Sequence, residues 1–236
     1  MKRESKLFLL LVILSFLMMS CIEEDPGPRQ NDQKSFSIVD FDRLEASEAL
    51  DITVQQGNIF SITATGDSRN LNDLNIYKNG STLVMKFATQ YSRQYTTYVT
   101  ITMPSLFGFT FSGAVNGKVT GFKQETSRFD ISLSGASVAQ VDANTDVTYA
   151  QLAGVSQLRL SGVGKKIDAI ISGASTLSAF DFPVEEVKLL VTGASEAKVN
   201  TSLKLSASVS GASGVLYRGN PVVDANVTGA SSLGRD

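Results

Sequence analysis

The sequence predicts an all-β protein whose larger part is a parallel β-helix-like solenoid of about seven coils of roughly 19 residues, preceded by antiparallel hairpins. Three observations carry this reading. Apolar and polar residues alternate with period two over much of the chain, and no helical stripe stands out. A four-residue phrase, SGAS or a close variant, returns at residues 112, 134, 153, 172, 192, 210 and 228. The glycines of that phrase, Gly113, Gly135, Gly154, Gly173, Gly193, Gly211 and Gly229, are spaced by 22, 19, 19, 20, 18 and 18 residues. A propeller blade needs about 40 residues, twice this period, and a sandwich has no reason to repeat its corners.

Residues 1–20 read as an export signal. Lys2, Arg3 and Lys6 precede an apolar run from Leu7 to Met19, 13 residues long, where a membrane-spanning helix needs about 20. The run ends in Leu17-Met18-Met19-Ser20-Cys21, which resembles a bacterial lipobox, so Cys21 is the expected site of lipidation. Cys21 is the only cysteine, which excludes a disulfide within one chain. Cleavage before it would remove Lys2, Arg3, Lys6 and Glu4, leaving 18 basic residues against 22 acidic ones and a net charge of −4. No basic run stands out to hold phosphates, so a nucleic-acid partner is not expected. Residues 21–35, acidic and Pro-bearing, lack periodicity and read as a flexible tether.

Residues 36–105 read as an N-terminal β-region or cap. Leu50, Ile52 and Val54 alternate, as do Phe60, Ile62 and Ala64 after a polar break, which predicts a hairpin. A second hairpin turns at Asn79-Gly80, a dipeptide that accepts positive φ at both centres of a two-residue turn. Val99, Ile101 and Met103 form a further strand, closed by Pro104.

Residues 106–236 carry the repeats, either as a second unit or as one continuous domain with the first. An apolar residue stands two places before each glycine (Phe111, Leu133, Leu152, Ile171, Val191, Val209, Val227). Ala follows the glycine, with Val155 the one exception, and Ser follows next in every repeat but the first, which has Val115. A coil must turn sharply at its corners, where glycine supplies a backbone conformation closed to residues with a Cβ and alanine fits a tight space. The serines are expected to form a polar ladder along one edge. Terminal coils expose unpaired backbone, so association between copies through the coil ends is expected.

Three stretches, FDRLEASEALDITVQQGNIFSITATGD, NLNDLNIYKNGSTLVMKF and VTITMPSLFGFTFSGAVNGKVTG, together with the returning corners, resemble the bacterial family called putative auto-transporter adhesin, head GIN domain. The likeness covers residues 36–236. It implies a right-handed parallel β-helix-like fold on an envelope protein, and it supplies no catalytic or ligand residues to carry over. The chain departs from the auto-transporter idea in lacking a C-terminal run of alternating ten-residue strands; a lipid on Cys21 would replace that anchor.

Histidine is absent, which excludes Ser-His-Asp and Cys-His catalysis and the usual zinc sites. Gly211-Ala212-Ser213-Gly214 misses the nucleophile-elbow spacing, and GAVNGK, from Gly113 to Lys118, misses the phosphate-loop spacing. Aspartates at 130, 142, 146, 168, 181 and 224 fall too irregularly for a calcium β-roll. No metal or cofactor is expected, and the protein is not expected to be an enzyme. Glu185-Glu186, Asp142, Asp181 and Arg218 keep open the alternative of a polysaccharide-active enzyme, which needs two carboxylates across a cleft. A self-assembling structural spacer is a further alternative. The candidate ligand site is TQYSRQYTTY, where Tyr91, Arg93, Tyr95 and Tyr98 crowd a polar loop; aromatic rings there would meet a sugar face and Arg93 a carboxylate. The reading is therefore an adhesin-like module for a glycan or a protein partner, bound to the membrane by its N-terminal lipid. Its expected location is the outer membrane of the cell envelope, on the periplasmic side or the cell surface.

Overall fold

A computed structural model describes residues 27–236, with side chains throughout except at 124–126. The export signal, Cys21 and the first residues of the tether lie outside the described residues. The strands run β1 (Asn31–Phe36), β2 (Arg43–Ala46), β3 (Leu50–Gln56), β4 (Ser61–Asp67), β5 (Leu74–Asn79), β6 (Thr82–Phe87), β7 (Thr97–Met103) and β8 (Gly108–Phe111). They continue as β9 (Asn116–Leu133), β10 (Val138–Leu152), β11 (Gln157–Ile171), β12 (Thr176–Val191), β13 (Glu196–Val209), β14 (Gly214–Arg218), β15 (Val222–Val227) and β16 (Ser232–Arg235). One helix, α1 (Ser68–Asp73), separates β4 from β5.

From β8 onward each coil pairs in parallel with the next, and the pairing offsets equal the glycine spacings: Val138 meets Asn116, Gln157 meets Val138, Thr176 meets Gln157 and Glu196 meets Thr176. The fold is the expected β-solenoid of about seven turns with antiparallel strands before it. Extra residues of the longer coils are absorbed by register shifts such as those between Val141 and Thr145 and between Ala179 and Pro183, well away from the glycines. The SGAS corner keeps its geometry because it has no slack.

That geometry rests on backbone contact. Each motif glycine holds a positive φ, between 72° at Gly135 and 86° at Gly211, and a Cβ built on Gly173 would lie 2.4 Å from the Gly154 carbonyl oxygen. The following N–H, as in Ala174, donates to that same carbonyl at 2.8 Å. The alanine faces outward, whereas the serine turns inward: Ser137, Ser156 and Ser175 are fully buried. The polar ladder therefore runs inside the solenoid and not along an outer edge. The Ser175 hydroxyl donates to the Gly154 carbonyl (3.3 Å) and accepts from the Ser156 N–H (3.2 Å), and Ser195 repeats the pattern one coil on. A hydroxyl is the side chain that can both donate and accept at this point, and a buried serine so placed leaves no orphan.

The N-terminal strands belong to the same stack. β2 lies between β6 and β8, and β3 between β7 and β9, all in parallel. Pairing is therefore continuous across residues 105 and 106. The coil β6–β7 sits on the outer side of the coil β2–β3 although it follows it in the chain. This inserts an eighth corner, Ser47-Glu48-Ala49-Leu50, in register with Ser112-Gly113-Ala114-Val115: the Ala114 N–H donates to the Glu48 carbonyl and Glu48 holds φ +70°.

Three further expectations are corrected. The hairpin predicted over residues 50–64 does not form, because β7 lies between β3 and β4 and pairs with both. The β5–β6 hairpin does form, yet its register (Asn79 opposite Thr82) centres the turn on Gly80-Ser81, with Gly80 alone at positive φ (+60°). The tether is shorter than residues 21–35, because β1 pairs antiparallel with the open edge of β4.

Asp67 fastens that end. It caps α1, accepts from the Gln30 N–H (2.9 Å) and the Arg69 N–H (3.0 Å), and takes a bidentate pair from the Arg69 side chain. The Arg69 hydrogen bonds hold its carboxyl well below the usual carboxylate range, against the opposing pull of burial. The unfolded chain takes up this proton near pH 4 and the folded chain only further down, so the anchor is complete at neutral pH and weakens as pH falls through that interval. We expect amide-exchange protection in β1 to drop below about pH 4, and Asp67→Asn to show low protection with no such pH step.

Candidate functional site

The tyrosine loop, residues 88–96, occupies the corner position of the coil β6–β7, so it is an opened version of the SGAS corner at one end of the stack. The structure turns its arginine inward. The Arg93 side chain is 6% exposed, pairs with Asp73 and lies 4.0 Å from Glu48. It donates to the Thr89 and Tyr91 carbonyls and stacks over Phe87 (3.6 Å) and Tyr91 (4.1 Å). Burial pushes the Asp73 carboxyl up, but hydrogen bonds from Thr89 and Arg93 outweigh it and hold the group below its ordinary value. Arg93 thus secures the loop and is not presented to a ligand carboxylate. Tyr95 is tied by its hydroxyl to the Gly27 carbonyl (2.9 Å), and its own carbonyl accepts from Asn70. Tyr91 and Tyr98 stand exposed. The hollow beside Tyr91, Arg93 and Tyr95 measures about 80 Å³, below the range of ordinary ligand sites.

Of the carboxylates of the enzyme alternative, Asp142 and Asp181 are held in ion pairs, while Glu185 and Glu186 stand exposed on β12. Asp142 pairs with Lys123, Asp181 with Arg159 (2.9 Å), and Arg218 with Asp236 (2.7 Å), each across neighbouring coils.

A larger site lies on the sheet formed by β2, β8 and the second halves of β9 and β10. Strand alternation sends Leu44, Phe109, Ile131 and Ala150 into the core and leaves two outward rows. Parallel register aligns Arg43, Gly108, Asp130 and Tyr149 in one row, and Glu45, Thr110, Ser132 and Gln151 in the other. Gly108 makes the low point: a Cβ there would fall 2.3 Å from the Asp130 carbonyl oxygen and 3.1 Å from the Arg43 guanidinium. Two guanidinium groups grip one carboxylate, Arg43 Nη2 at 3.0 Å and Arg128 Nε at 2.8 Å from the two oxygens of Asp130. Arg128 also stacks on the Tyr149 ring at 4.2 Å. Together they enclose a groove of about 360 Å³, within the size range of small-molecule sites. The sequence reasoning missed this groove. Its signal was the corner register: Arg43, Gly108, Asp130 and Tyr149 each stand five places before the glycine position of their coil, once Glu48 is admitted as one of those positions.

The chain matches the family model described as putative auto-transporter adhesin, head GIN domain, over residues 40–221. Among solved structures it is similar to a putative adhesin from Bacteroides fragilis NCTC 9343, with 17% identity, coverage of 89% of this chain and 98% of that one, and a TM-score of 0.79. It is also similar to a putative adhesin from Parabacteroides merdae ATCC 43184 (20% identity, 89% and 98% coverage, TM-score 0.68). A third similar structure is a putative lipid binding protein from Parabacteroides distasonis ATCC 8503 (16% identity, 87% and 96% coverage, TM-score 0.71). No curated protein matches. The structural likenesses establish a shared fold, and the family model, which spans most of the chain, establishes membership: the chain belongs to the putative auto-transporter adhesin, head GIN domain family.

Proposed function

We propose that the protein is a lipid-anchored, adhesin-like module of the bacterial cell envelope, held to the outer membrane through Cys21 and engaging a glycan or protein partner with the outward face of its solenoid. The observation that carries this reading is a division of labour within each coil. Folding is handled by the corner and the buried ladder, which repeat, while the outward row five places before each corner changes from coil to coil: Arg43, Gly108, Asp130, Tyr149, Asp168, Lys188. A scaffold of that kind holds a chosen set of side chains at fixed spacing, which lowers the ordering cost of binding. Two measurements test it. Cys21→Ser should abolish labelling by a fatty-acid probe and release the protein from the membrane fraction. Cells bearing the full chain should adhere to mucin or to a protein-coated surface above a deletion control, and equal adhesion of the two strains would refute the binding role.

A second reading, association between copies at the coil end, is favoured by β15, whose six residues are all exposed, Val222 at 74%. It predicts a mass that grows with concentration in light scattering, and a monomer at high concentration counts against it.

A further inference from the structure

We infer that the groove framed by Arg43, Glu45, Arg128, Asp130, Tyr149 and Gln151 binds an uncharged saccharide unit, an inference that rests on the reading of the protein as a binding module. Charge comes first. The two guanidinium groups and the two carboxylates cancel, so the groove has no formal net charge with which to select an anion or a cation. What remains is a dense mixture of donors and acceptors. Asp130 fixes both guanidinium groups but occupies one nitrogen of each in the observed contacts, leaving further N–H donors. Glu45 on the rim can only accept, while Gln151 does both. Sugar hydroxyls, which donate and accept at neighbouring carbons, match such a mixture better than a phosphate or an ammonium group, each of which asks for one kind of partner. The Tyr149 ring, held in place by Arg128, adds an apolar wall of the kind a pyranose face packs against.

The site is also prepared in advance. Every one of these residues sits on or at the edge of a strand locked into the coil stack, and the low floor at Gly108 exists because no Cβ is present to fill it. A volume of about 360 Å³ is near the lower limit for ligand sites and suits one or two sugar rings.

The test is an array of defined neutral and uronic-acid-bearing oligosaccharides probed with the full mature chain and three variants. Thr110→Trp places a bulky ring in the groove from an exposed strand position, Tyr149→Ala removes the wall, and Tyr91→Ala with Tyr98→Ala strips the tyrosine loop. Binding to neutral glycans that falls tenfold or more in the first two, with unchanged melting, and persists in the third is the expected result. Binding that survives Thr110→Trp overturns the groove and leaves the module reading intact. A preference for the uronic-acid glycans that vanishes at high salt overturns the uncharged ligand. A blank array, while cells bearing the protein still adhere to a deglycosylated surface, overturns the saccharide alone; a blank array without adhesion overturns both readings.

Discussion

Gly173→Ala is expected to cost more than about 4 kcal/mol or to abolish cooperative folding, a large effect for a single methyl group. Two penalties coincide at this position. Gly173 holds φ +78°, a left-handed conformation that costs a residue with a Cβ about 1–2 kcal/mol. Its new Cβ would meet the Gly154 carbonyl oxygen at 2.4 Å and the Gly154 nitrogen at 3.0 Å, both backbone atoms that cannot rotate away. Relief requires separating the coils, which breaks the Ala174 to Gly154 hydrogen bond and the neighbouring Ser175 ladder contacts. Because each coil rests on the last, a displacement at one corner reaches its neighbours. Chemical denaturation of Gly173→Ala beside Ala174→Ser checks this: the outward-facing serine variant should stay within about 0.5 kcal/mol of the parent, and a Gly173→Ala protein of parental stability would refute the account. Glu48 shows why both penalties are needed. It carries a Cβ at φ +70° and is tolerated because the adjoining corner on its far side is the opened loop 88–96, which presents no glycine carbonyl at that point.

How much of this was legible in the sequence follows from what each feature must repeat. The corners were visible because each coil from Gly135 onward faces the same close approach and answers it with glycine, and the offsets between paired strands reproduce the glycine spacings. The direction of the serine was not visible, since Ser is as common outside as at a buried ladder; only the bonds from Ser156 and Ser175 to their neighbours decide it. The coil β2–β3 escaped notice because Glu48 stands where the pattern asks for glycine. The true partner of β3 is hidden for a related reason: local alternation marks strands but cannot reveal that β7, whose Thr97 meets Leu50, arrives 47 residues later in the chain. The groove is harder still. Arg43 and Asp130 are 87 residues apart and become neighbours only through the stacking of three coils.

Gly117→Leu is expected to destabilise by about 3–5 kcal/mol, although leucine is what Leu158 and Leu177 place at the same register in later coils. A Cβ on Gly117 would stand 2.3 Å from the ring of Phe111, which is fully buried and has no room to withdraw. Phe111 occupies the position that Leu133, Leu152 and Ile171 fill in their coils, so the first coil exchanges a large residue for a small one across the core. Phe111→Ala alone should cost about 3–5 kcal/mol by opening a cavity. Combined, the two substitutions partly refill that cavity, and the double variant should be more stable than the sum of the single losses predicts by about 2–3 kcal/mol. Strict additivity in a denaturation cycle would refute the exchange. The same trade recurs where Gly164 faces the ring of Phe182, with a Cβ contact of 2.7 Å, so a stabilised version of this solenoid cannot be obtained by averaging its coils: the corners repeat because they touch their own kind, while the interior is fitted pair by pair.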